Sequence, residues 1–67
     1  MRDPNRFDNF YKEVCEIHKE KFPDWRYGQL MSNFLDWIIT SKKRDPFFFE
    51  ENEILRLFTE YAGVTDK

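Results

Sequence analysis

A chain of 67 residues with a formal charge of −2 is too short for two domains and too acidic to grip nucleic acid through a broad basic surface. Its 40% hydrophobic and 36% charged residues exclude a disordered chain, and apolar runs no longer than Trp37-Ile38-Ile39 or Phe47-Phe48-Phe49 exclude a membrane span. A single cysteine, Cys15, allows neither an internal disulfide nor four-ligand metal spacing, so dense packing or association has to hold so small a core.

The first element is expected from about residue 4 to 21. Asp3-Pro4 reads as an N-cap followed by a proline at the first helical position. Phe7, Phe10, Tyr11, Val14, Ile17 and then Phe22 recur at helical steps and define its apolar face. Pro23 ends it. Asp24 is placed to cap a second helix from Trp25 to Ser41, whose apolar set is Tyr27, Leu30, Met31, Phe34, Leu35, Trp37, Ile38 and Ile39. So wide a stripe predicts two neighbours. Gly28 in its first turn is costly for a helix, and a close helix crossing there would account for it. Lys42-Lys43-Arg44 reads as a solvated basic turn against the negative helix end.

Asp45-Pro46 opens an extended connector through Phe47, Phe48 and Phe49. Glu50, Glu51 and Glu53 crowd the start of a third helix, where the dipole favours negative charge. Its core face is Ile54, Leu55, Phe58, Tyr61 and Ala62, with Leu57 flanking and Gly63 as a left-handed stop. The economical architecture is all-α: a small three-helix bundle in one domain, 1–67, with an aromatic connector before the last helix.

The stretch Pro23-Asp24-Trp25-Arg26-Tyr27-Gly28-Gln29-Leu30-Met31-Ser32-Asn33 resembles the central motif of a family of short bacterial, phage and mobile-element proteins, Pro-Asp-x-Arg-x-Gly-Gln-Leu-x-x-Asn. Asp45-Pro46-Phe47-Phe48-Phe49-Glu50-Glu51-Asn52-Glu53 resembles its second signature, and Asp3-Pro4-x-Arg6 its start. A more distant similarity is to the YihD family of small bacterial proteins. Asn52 within the acidic cluster and Trp25 in place of a smaller residue depart from the pattern. The resemblance implies a fold, marks Arg26, Gly28, Gln29 and Asn33 as a characteristic set, and transfers no activity.

Two uses for that set follow from the residues. Arg26, Gln29, Asn33, Asp36 and Thr40 share one face of the second helix, as in a helix-turn-helix reader of base edges. Against it stand Asp36 within the face and nine Lys/Arg against eight Asp/Glu through residue 49. The other use is structural, with Arg26 bonded to a carboxylate and Gln29 to the connector backbone.

Cys15 and His18 are three residues apart, but nucleophilic catalysis also needs an orienting group and an oxyanion site, and two ligands are not a metal site. No catalytic, cofactor or metal set is assigned, and the three glutamates are explained by the helix dipole. Thirteen aromatic rings, however, exceed what so small an interior holds. Three consecutive Phe in an extended connector alternate in direction, so at least one faces out. The expected contact set is Trp25, Phe47, Phe48 and Phe49. The expected function is a non-enzymatic protein-interaction module whose partner is another protein or a second copy of itself. The alternative is a helix-turn-helix nucleic-acid binder. A lone thiol and the absence of a leader-like start fit the cytoplasm.

Overall fold

Three stretches of helical periodicity become three helices. The computed structural model describes residues 3–65, as α1 (Arg6–Lys21), α2 (Tyr27–Ser41), a single 3-10 turn (Pro46–Phe48) and α3 (Glu51–Thr65). The protein is a small all-α bundle, 79% helical, with no strand among the described residues. No described helix is long and apolar enough to cross a membrane.

α1 and α3 lie side by side in parallel. Arg6 Nε, at the start of α1, donates to Glu51 Oε1 at the start of α3 over 2.8 Å. At the other end, Ile17 and Lys21 share a crevice with Thr59, Ala62 and Gly63. Parallel neighbours need a crossover, and α2 with its connector supplies it. The core is Phe22 with Leu30, Phe34 and Ile38 of α2 and Leu57, Phe58, Tyr61 and Ala62 of α3. α1 contributes no fully buried residue; Val14 and Ile17 close the core from outside.

Local chemistry shifts several boundaries. Asp3 does not cap α1. Its Oδ1 accepts from Asn5 N–H at 3.0 Å, an Asx turn that delays the helix to Arg6. Asp24 caps nothing either: a turn closed by Trp25 N–H to Phe22 O at 3.1 Å absorbs it, and Arg26, with extended backbone, precedes α2. Pro23 does end α1, whose last helical residue is Lys21. No helix crosses at Gly28, where an added Cβ would meet nothing within 4 Å. Gly63 does not stop α3, which runs to Thr65, and neither glycine has positive φ. The left-handed residue is Lys43 (φ 58°), which turns the chain out of α2.

Burial also departs from the apolar pattern. Leu57 is a core residue rather than a flank, while Tyr27, Leu35 and Ile39 stay exposed. The stripe on α2 is wider than the neighbours that reach it. The basic turn is not simply solvated. Lys42 Nζ donates to Glu60 and lies 5.4 Å from the Trp37 ring, while Arg44 bonds Glu53 at 3.1 Å and stands over Phe49 at 4.4 Å. Two of the three cations therefore fasten the connector to α3.

Candidate functional site

The connector between α2 and α3 is a built turn rather than an extended strand. Asp45 Oδ1 accepts from Phe47 N–H at 3.0 Å, Pro46 fixes the first φ, and Phe49 N–H closes the turn on Pro46 O at 3.1 Å. A 3-10 turn rotates successive side chains by about 120°, so neighbouring rings can share the outer side. Phe47 and Phe48 do so, at 81% and 78% exposure. Their centroids are 4.9 Å apart with the planes at 74°. Phe49 turns inward, packs against the core and is covered by Arg44. Thus two of the three rings face solvent, and a capped turn holds them as one knuckle.

The 3-10 turn packs beside α2, and a shallow cleft joins Ile39 to Lys43, Arg44 and Asp45. The outer face of α2 is therefore continuous with the connector. That face carries Arg26, Gly28, Gln29, Ser32, Asn33, Leu35 and Ile39, all exposed. Among the described residues the side chains of Arg26, Gln29 and Asn33 bond to nothing, which corrects the expectation of structural bonds to a carboxylate and to the connector. The cause is orientation. Leu30, Phe34 and Ile38 are buried, and helical geometry then aims positions 29 and 33 away from every neighbour.

Trp25 occupies another corner. It is half-buried against Phe22, centroids 4.8 Å apart, and its carbonyl accepts from His18 Nε2–H at 2.7 Å. A carbonyl can only accept, so this nitrogen carries the proton. His18 thus pins the turn between α1 and α2 instead of serving Cys15, which is exposed beside it in an open crevice. The rings in contact with Trp25 and with the knuckle are different ones: Phe22 for the former, and Phe47 and Phe48 with each other.

Glu51 and Glu53 are occupied by cations from the protein itself, Arg6 for the first, Arg44 and Arg56 for the second. The Arg56 hydrogen bond, chiefly, holds the Glu53 carboxyl below its ordinary range and raises the Arg56 guanidinium in return. No group of three or more metal-ligating side chains converges among the described residues.

One surface escaped sequence reasoning. Phe10, Tyr11 and Val14 of α1 face Tyr27 and Met31 of α2 across an apolar slot floored by Phe34, Ile54 and Phe58. At about 60 Å³ it is far below the roughly 300–1,000 Å³ of a small-molecule site. The amphipathic tyrosines were the available signal, since a phenol that keeps its hydroxyl wet sits at a rim. Comparison with models of protein families, with curated proteins and with solved structures returns no match to this chain.

Proposed function

We propose that the protein is a non-enzymatic interaction module acting through protein contacts, with the Phe47–Phe48 knuckle as its main anchor. The observation that carries this reading is the exposure of two large rings on a turn whose geometry is fixed by Asp45 and Pro46. Burying a Phe side chain is worth about 1.5–3 kcal/mol, and neither ring realises that within the chain. A pre-ordered pair also loses little entropy on binding. Phe49, half-buried, backs the knuckle from within, and Trp25, half-buried at the turn between α1 and α2, stands apart from it. A lone exposed thiol supports a reducing compartment such as the cytoplasm.

The test compares the wild type with a Phe47→Ser/Phe48→Ser variant as bait in lysate of the source cells. Unchanged helicity with loss of specifically retained protein supports the reading. Identical retention by both baits overturns it.

One observation favours a second reading. Arg26, Gln29 and Asn33 stand exposed and unbonded on one helix face, as base-edge readers do. Asp36 on that face and the pairing of Lys42 and Arg44 with glutamates weigh against it. Salt-sensitive binding to duplex DNA, lost in Arg26→Ala/Gln29→Ala/Asn33→Ala with the fold intact, would establish it.

A further inference from the structure

Half of the residues of α1 are charged, whereas Asp36 is the only charged residue in the whole of α2. A helix with one buried face and one wet face carries charges on the second. α2 does not, and loss of charge is the compositional mark of an interface core. Its exposed face holds Gly28, Ser32, Leu35 and Ile39 at steps of four, three and four, the spacing of a helix-pairing seam. Leu35 and Ile39 are 38% and 53% exposed. The seam has small residues in its first half and large ones in its second.

We propose that a second copy of this chain packs antiparallel on α2, with Gly28 against the partner's Ile39 and Ser32 against the partner's Leu35. The inference rests on the interaction-module reading and adds to the knuckle a second contact surface, whose occupant is another copy of this chain. Both pairings belong to one register, so a single two-fold axis near the midpoint between Ser32 and Leu35 satisfies them together. Each large residue enters the space over a small one, which permits an interaxial distance near 8 Å. The same register sets Gln29, whose amide bonds to nothing in the monomer, close to the partner's Asp36 carboxylate. Beyond the helix ends it brings Lys43 towards the partner's Asp24, a pair of opposite charges, both exposed. A parallel pair would instead set Gly28 on the partner's Gly28 and Ile39 on the partner's Ile39, so that no large residue enters the space over a small one.

A 15-residue helix is about 22 Å long, so the pair buries less than the roughly 1,600 Å² of a standard interface, and dissociation in the micromolar range is expected. The test uses full-length chains carrying Cys15→Ser, with Gly28→Cys in one preparation and Ile39→Cys in another, oxidised with oxidised glutathione. The register predicts disulfide dimers from the mixture and none from either alone. Like positions lie about 16 Å apart across the axis, beyond the roughly 7 Å that a disulfide spans. Sedimentation equilibrium completes it. Gly28 is exposed and an added Cβ there has nothing within 4 Å, so Gly28→Leu should keep its helicity while dimerisation weakens at least tenfold.

Self-linking of Ile39→Cys, or wild-type affinity in Gly28→Leu, overturns the proposal. A dimer broken by Phe48→Ala but not by Gly28→Leu also overturns it and upholds the module reading. A strict monomer at millimolar concentration overturns this inference alone, since the knuckle answers to its own capture experiment.

Discussion

Two phenylalanine pairs in this protein have nearly the same geometry and opposite surroundings. Phe34 and Phe58 meet edge to face at 4.9 Å and 71°, each 1% exposed. Phe47 and Phe48 meet edge to face at 4.9 Å and 74°, each about four-fifths exposed. An edge-to-face contact adds about 0.5–1.5 kcal/mol wherever it occurs. Removal of apolar area from water contributes more, and only the inner pair has it. The contact shapes both pairs, but burial makes one of them the core and leaves the other open to a partner.

Truncating the inner pair challenges this contrast most severely. Phe34→Ala or Phe58→Ala removes a fully buried ring, and a loss of about 3–5 kcal/mol is expected. A chain of this length holds roughly 3–10 kcal/mol in all, so urea midpoints should fall steeply and the variants should be partly unfolded at 25 °C. A loss near 1 kcal/mol would mean that the inner pair is not the structural centre.

The next effect is on the turn that orders the outer pair. Asp45→Ala deletes the side-chain bond to Phe47 N–H, and a cap of this kind is worth about 1 kcal/mol. Beyond that loss, the ring–ring NOEs between Phe47 and Phe48 should weaken. Undiminished NOEs would assign the order of the knuckle to Pro46 alone. Smaller again is Phe48→Ala, expected within about 0.5 kcal/mol of wild type in urea unfolding, because an exposed side chain away from caps and core has little stability to lose. A cost above about 2 kcal/mol, the range of core truncations, would make the ring structural and remove the case for a contact.

The helices were legible in the sequence because their signals are local. Pro23 and Asp45-Pro46 punctuate the chain wherever it folds, and the three- and four-residue steps from Phe7 to Ile17 require no neighbour to be read. The misjudged features depend on what stands nearby. Leu35 and Ile39 are as apolar as Leu30 and Ile38, and hydropathy cannot tell which of them α3 reaches. Lys43 in a left-handed conformation gives no compositional sign, whereas Gly63, which does, remains helical. In the candidate site, the surplus of rings announced an exposed aromatic. That two rather than one of Phe47–Phe49 face out follows from one bond, Asp45 to Phe47 N–H, which converts an alternating strand into a tight turn. Likewise, the bonding capacity of Arg26 and Gln29 suggested internal partners, and only the direction of Leu30 and Phe34 shows that none is within reach.

The smallest expected effect concerns how the outer region is fastened to the inner one. Arg44 spans Phe49 and Glu53, and Glu53 is shared with Arg56. Hydrogen bonding by Arg56 and the charges of Arg56 and Arg44 stabilise the carboxylate, so its folded-state pKa lies below the ordinary 4.5. A depressed pKa means that the unfolded chain takes up the proton first as pH falls. The contribution is therefore complete above 4.5 and is lost as pH drops through the lower folded-state value. Because Glu53 is a partly exposed surface group whose partners Arg44 and Arg56 are themselves exposed, the change in stability should be slight, and a carboxyl-carbon NMR titration is the sensitive probe. Its midpoint should rise towards the ordinary value in Arg56→Ala, and by less in Arg44→Ala, whose influence ranks behind. Equal shifts in the two variants would make Arg44 as strong a partner as Arg56. In that case the clasp holding the aromatic turn to α3, rather than a pair within α3 itself, would govern the acid limb.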